Sequence, residues 1–152
     1  MKYSLLKQSE LQQAQSFLES LKDDFLVSRK ARKKGSLRRY LVNKDRRMIL
    51  AKDKNKIIGY ITYKFNTRKK GWIIGIGVGK EYRGKGIGKA LFRKAIKDLA
   101  KKHNKIIVRT WSTNKKSRSL FEKTGFKKYR AFKNQRIDGS DDVWHYKEIN
   151  KK

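Results

Sequence analysis

Proline and cysteine are both missing from this chain of 152 residues. Without cysteine there is no disulfide framework and no thiolate metal site. Histidine occurs only twice, as His103 and His145, too few to hold a metal through imidazoles, so no metal is expected. No long apolar run and no signal-peptide pattern is present, which argues against a membrane span and leads to the expectation of a soluble, cytoplasmic protein. Acidic residues are scarce. Asp and Glu number 13 against 43 Lys and Arg, a formal net charge of +30. The missing proline beside so many lysines reads as a compositional bias.

What is present fits one domain over residues 1–152. Hydrophobic residues make up 37% of the chain, below the usual average, but they recur periodically, so a core can form. The charge would attract polyanions at long range, which makes nucleic acid a candidate partner. It carries no specificity by itself, and a lysine-rich, solvated surface explains it equally.

The chain is organised around Trp72 to Gly88. Trp72, Ile74, Ile76 and Val78 fall at period two, as on one face of a strand. Gly75, Gly77 and Gly79 alternate with them, which suggests a bulge or something lying close to the backbone. A glycine-spaced loop follows, and then an amphipathic helix. Ile87, Leu91, Ala95 and Leu99 recur every four residues beside Phe92 and Ile96, with Lys89, Arg93, Lys97 and Lys101 opposite. Strand, glycine loop and helix start present backbone N–H groups and a positive dipole end to an anion. Arg83, Lys85 and Lys89 add charge, so the implied ligand is a phosphate or pyrophosphate. The plain alternative is a tight strand–helix turn that binds nothing.

The loop lacks a Gly-Lys-Ser/Thr ending and the strict Gly-x-Gly-x-x-Gly spacing, so neither stock phosphate loop applies. Its Arg83-x-x-Gly86-x-Gly88 spacing, after an apolar strand and Glu81-Tyr82, resembles the coenzyme A-binding motif of the GNAT family of N-acetyltransferases. The resemblance implies that the N–H groups of Arg83, Gly84, Lys85, Gly86, Ile87, Gly88 and Lys89 surround the pyrophosphate of acetyl-CoA, the co-substrate.

In chain order, Lys2 to Leu6 reads as a strand. Ser9 is positioned to cap a helix with Leu11, Ala14, Phe17, Leu18 and Leu21 on its apolar side. Asp23 and Asp24 mark its end or serve a site. Ser28 to Arg39 is very basic, and Leu37, Tyr40, Leu41 and Val42 suggest a short helix ending near Asn43. In the GNAT family this region walls the acceptor site. Here it reads either as an electropositive lip or as a solvated loop. Arg47 to Lys52 and Lys56 to Phe65 form a hairpin turning at Asp53 to Asn55. Lys105 to Thr110 is a β-branched strand expected to run parallel to the central one. A short helix from Lys115 to Lys123 ends at Gly125. Strands at Phe126 to Lys133 and Val143 to Ile149 close the chain.

The order is β-α-α-β-β-β-α-β-α-β-β. It matches the GNAT fold, an α/β (α+β) domain with a mixed twisted sheet of about six to seven strands and about four helices. The resemblance implies that two parallel neighbours splay apart to admit the cofactor.

Asn114-Lys115-Lys116-Ser117-Arg118-Ser119-Leu120-Phe121-Glu122-Lys123-Thr124-Gly125-Phe126 is similar to a second GNAT pattern, Asn-x-x-Ala/Ser-x-x-Leu-Tyr-x-x-x-Gly-Phe. The likeness covers about residues 46 to 149. It implies that Asn114 contacts the pantetheine arm and that Ser117 lets the arm pass. Phe121 stands where relatives often carry a tyrosine acting as acid toward the leaving thiolate. Ser119, Tyr129 or a water would have to serve, or the thiolate leaves unassisted.

The implied reaction is attack of a neutral amine on the thioester, with backbone N–H groups at Ile76, Gly77 and Val78 as oxyanion and pantetheine donors. No acid lies in the central strand. Glu81 and His145 are the candidate bases, with Asp141 and Asp142 behind them. A missing base suits an α-amine, which titrates at about 7.7–8.0, better than a lysine at about 10.4. Trp72, Trp111 and Tyr40 could stack on bases, although strand tryptophans more commonly pack in the core or on the sheet. Three readings stay open: an N-acetyltransferase with an anionic or nucleic-acid-associated acceptor, a basic nucleic-acid-binding protein on a degenerate scaffold, and a small-amine acetyltransferase. The acceptor and the oligomeric state are not named by the sequence, and a homodimer is the candidate assembly.

Overall fold

The computed structural model describes residues 1–21, 36–66, 68–136 and 138–150, with the Ser36 side chain left out. Asp23, Asp24 and the basic stretch from Ser28 to Gly35 therefore lie outside the described residues. Seven strands form one sheet in the order β1-β2-β3-β4-β5-β7-β6. They are β1 (Lys2–Leu5), β2 (Arg46–Asp53), β3 (Lys56–Phe65), β4 (Lys70–Val78), β5 (Lys105–Trp111), β6 (Lys127–Phe132) and β7 (Asp142–Glu148). The described helices are α1 (Leu11–Ser20), α2 (Arg39–Val42), α3 (Ile87–Ala100) and α4 (Lys115–Lys123). The mixed sheet and its element order are those read from the sequence.

Two cores flank the sheet. On one face α3 buries Ile87, Leu91, Phe92, Ala95 and Leu99, the stripe its periodicity predicts. Each large side chain there contributes about 1.5–3 kcal/mol by leaving water. Ile73, Ile106, Val108, Phe121 and Phe126 complete that core. On the other face α1 and the segment through α2 cover Met48, Leu50, Ile57 and Tyr60 with Ala14, Leu21 and Leu37.

Two sequence expectations are corrected. Ser9 does not cap α1, because it already lies inside a 3-10 turn, Gln8–Glu10. Glu10 stands at the N-cap of α1 but makes no side-chain cap bond there. Its carboxylate closes the preceding turn by accepting from the Lys7 N–H at 3.0 Å and pairs with Lys52 on β2. The other correction concerns β4, whose apolar residues do not share one face. The β3–β4 register jumps from Thr62↔Gly75 to Tyr63↔Ile73, leaving Ile74 bulged. A bulge reverses the alternation. Ile73 therefore joins the α3 core together with Ile76 and Val78, while Ile74 is 46% exposed. The glycines did signal a bulge, but not which residue it would expel.

Candidate functional site: a gap between parallel strands

The bulge sits where two strands part. β4 and β5 pair in parallel from Lys70↔Lys105 to Ile73↔Val108 and no further. Beyond that point β5 keeps pairing with β7, through Arg109↔Trp144, Thr110↔Val143 and Trp111↔Asp142. β4 keeps pairing with β3, through Ile76↔Ile61, Gly77↔Tyr60 and Val78↔Gly59. The edge of β4 that faces β5 thus has no strand partner past Ile73. Only every second backbone group of a strand faces a given edge. The N–H groups of Ile76 and Val78 therefore face this gap, as expected, while that of Gly77 faces β3.

The glycine loop closes the far end of this gap. Lys80–Tyr82 forms a 3-10 turn, and the Arg83 Nε donates to the Val78 carbonyl at 3.0 Å. That bond ties the loop to the end of β4. Lys85 Nζ lies over the Tyr82 ring, 5.3 Å from its centre. Gly86 immediately precedes α3 with φ +78°, and Gly84 has φ +76°. Only glycine adopts this backbone readily, and around both positions the space is open. The loop therefore delivers Gly86, Ile87, Gly88 and Lys89 to the positive end of a helix of 14 residues.

On the β5 side, Asn114 caps α4. Its Oδ1 accepts from the Ser117 N–H at 3.2 Å, and its Nδ2 donates to Thr110 Oγ1 at 3.0 Å. Both ends of the amide are engaged, so Asn114 fixes the start of α4 against β5. Thr110 was missed by sequence reading. Its only signal was a hydroxyl on an apolar strand four residues before an asparagine cap.

The catalytic candidates scatter. Glu81 is exposed and its carboxylate lies 4.0 Å from Lys56 Nζ on β3, the strand on the far side of β4 from β5. That contact lies on the β3 side of β4, away from β5. His145 is fully buried on β7, with its ring 5.3 Å from that of Phe121. Burial pushes its pKa below the ordinary value, and Arg118 adds to the effect. It is a core residue packed against Phe121, not an exposed base. Ser119 precedes Phe121 by two residues on α4, so the two side chains point to different sides of the helix. Tyr129 lies on β6, separated from β5 by β7, and is 43% exposed. Tyr129 is thereby kept away from the gap. Phe121 is itself core: its ring stacks on Phe92 at 5.4 Å and 18°.

Two further features lie near the gap. A Cβ on Gly75 would meet Thr62 Oγ1 at 3.2 Å and Tyr60 OH at 3.7 Å, so glycine there keeps the strand close to two hydroxyl groups. Asp142, opposite Trp111, is buried among Arg136 Nη2 at 2.5 Å, Trp144 Nε1 at 3.0 Å and Arg109 Nη1 at 3.5 Å. Its oxygens are held by donors, which suits an anchor and not a base. No group of three or more His, Asp or Glu residues fit to hold a metal occurs among the described residues.

The model of the acetyltransferase (GNAT) family matches residues 14–126, well over half of the chain. The chain belongs to the GNAT family. A curated relative of this GNAT protein, an N-alpha-acetyltransferase of Saccharolobus solfataricus, is 31% identical over 100 residues. That match spans 57% of this chain and 60% of the relative. The ribosomal-protein-S18-alanine N-acetyltransferase of Escherichia coli superposes with a TM-score of 0.81 at 16% identity, covering 99% of this chain and 95% of that one. Arabidopsis thaliana NAA60 in complex with acetyl-CoA superposes at 0.83 and 17% identity, covering 99% of both chains. At these identities the two structures establish the GNAT fold.

Proposed function

We propose that this GNAT protein transfers the acetyl group of acetyl-CoA to a primary α-amine. One observation carries the reading: β4–β5 pairing stops at Ile73 and Val108, and the opened edge of β4 leads directly into the glycine loop. A pyrophosphate at the N–H groups from Gly84 to Gly88 would place a pantetheine arm along that edge. The amide groups of an extended arm would then pair with β4 as a strand does. The thioester carbonyl would receive N–H donors from Ile76 and Val78 as negative charge develops on its oxygen.

The amine nitrogen attacks the thioester carbon and forms a tetrahedral oxyanion. The C–S bond then breaks, CoA leaves as thiolate, and the proton lost from nitrogen passes to water. Residues 74–79 and 109–111, which border the gap, include no carboxylate or imidazole. An acceptor that is already partly neutral suits such a site, which favours an α-amine at about 7.7–8.0 over a lysine at about 10.4. The N-alpha-acetyltransferase relative points the same way.

The test is to supply labelled acetyl-CoA with a peptide bearing a free N-terminus and an internal lysine, and with an aminoacyl-tRNA. Label on an α-amine supports the reading. Label on the lysine side chain alone overturns the choice of acceptor. Acetyl-CoA binding without CoA release would instead favour a degenerate scaffold, the reading that the missing hydroxyl at Phe121 supports.

A further inference from the structure

We propose that the open face of β5, β7 and β6 is a stacking platform for single-stranded nucleic acid. Trp144 and Tyr146 alternate along β7 and point away from the core that holds His145. On an antiparallel sheet the uncovered face normally carries polar side chains. Here it carries a connected set of rings. Trp72 meets Trp144 edge-on at 5.2 Å, and Phe132 lies 5.3 Å from Trp144. Tyr129 lies 5.4 Å from Tyr146 and 6.4 Å from Trp144. The outermost rings stand open, with Tyr129 43% and Phe132 37% exposed. Both α3 and α4 pack on the opposite face, and no described helix covers this one.

Cations are threaded through the rings. Lys105 Nζ is 4.5 Å from the centre of Tyr146, the Arg109 guanidinium 5.9 Å from Trp144, and that of Arg130 5.5 Å from Phe132. Two of these cations, both half-exposed, also serve a carboxylate: Lys105 pairs with Glu148, and Arg109 shares Asp142 with Arg136. Arg130 lies against the Phe132 ring. Rings offering flat apolar area between fixed positive charges match a ligand of flat bases on a negative backbone. A second copy of the chain is disfavoured as occupant, since each copy brings a charge of +30. The strand would lie across β6 and β7, independently of acetyl transfer at the β4–β5 gap.

A protein this basic binds any polyanion weakly, so the test must separate stacking from charge. The double substitution Tyr129→Ala and Phe132→Ala removes two exposed rings and leaves the charge unchanged. Fluorescence anisotropy would follow a labelled oligouridylate, an oligothymidylate and a duplex of equal length at one fixed salt concentration. The intact chain should prefer the single strands, and the variant should lose about tenfold or more of that affinity while its duplex binding holds. Quenching of tryptophan emission by the single strand should weaken in parallel. Circular dichroism and unchanged acetyl-CoA affinity verify that the variant is folded. Equal losses for single strand and duplex, or no loss for either, would overturn the platform. So would a polyglutamate peptide or anionic phosphatidylserine vesicles that bind as tightly as the single strand and lose as much in the variant.

Discussion

Phe121 and Phe92 lie ring on ring, 5.4 Å apart and 18° from parallel. Phe126 and His145 close around the same ring at 6.3 Å and 5.3 Å. α4 is therefore fastened to α3 and β7 by this one side chain. Phe121→Ala should cost about 3–5 kcal/mol of stability, read from urea unfolding. Phe121→Tyr would bring a hydroxyl into an apolar site and should cost about 1–3 kcal/mol without a gain in turnover. A variant that turns over faster at unchanged stability would show that the ring tip reaches the gap after all.

Gly86 holds the turn that starts α3. Gly86→Ala should cost about 1–2 kcal/mol through left-handed backbone strain and weaken acetyl-CoA binding modestly. Gly86→Glu adds a negative charge at the helix start and should abolish binding, measured by calorimetry. Undiminished affinity in the glutamate variant would remove the phosphate-loop assignment.

Asp98 near the end of α3 accepts from Tyr63 Oη at 2.7 Å and Arg47 Nη1 at 2.6 Å. Burial pushes the Asp98 pKa up, but the bonds from Tyr63, Arg47 and Lys101 outweigh it and hold it below the ordinary 3.8. A depressed carboxylate contributes stability that is complete above the unfolded value. That contribution is lost as pH falls below about 3.8 and through the folded value. Asp98→Asn should cost about 1.5–3 kcal/mol at neutral pH and flatten the acid limb of the stability curve. An acid limb identical to that of the parent chain would mean that other carboxylates set it.

His145 predicts a second pH effect in a separate window. Its folded pKa lies below the ordinary 6.5 because burial disfavours the charged ring. The unfolded chain takes up the proton first, so stability should fall as pH drops from about 6.5 toward the folded value. His145→Gln should remove that slope, seen as melting temperatures that vary less between pH 7 and pH 5. A slope unchanged by the substitution would place its origin elsewhere.

The glycine loop, α3 and the span of α4 were legible because each is local: the residues that signal them are neighbours in sequence. β4 was half legible. Its glycines announced an irregularity, but the expelled residue depends on how β3 pairs with it, and Ile74 looks like any other strand isoleucine. The Asp98 anchor was invisible, since its partners lie 35 and 51 residues away. The ring set on β6 and β7 was hidden in the same way. Trp72 and Trp144 become neighbours only once β7 inserts between β5 and β6. His145 misled because a histidine reads alike in sequence whether buried or exposed, and the strand alternation that buries it also turns Trp144 outward.

The sheet consists of two ladders, β1 to β4 and β5 to β7, stitched together by four residue pairs between β4 and β5. α3 bridges them on one side by packing on both β4 and β5. Such a plate is weakest along its seam, where backbone amides past Ile73 exchange with solvent unprotected by a neighbour. An occupant of the gap would act there as a surrogate strand. Deuterium uptake at Ile76 and Val78, whose N–H groups face the gap, should therefore slow sharply when acetyl-CoA is added, while β2 and β3 change little. In this architecture an occupant of the gap would complete the sheet, adding a third support beside the four β4–β5 pairs and the α3 bridge.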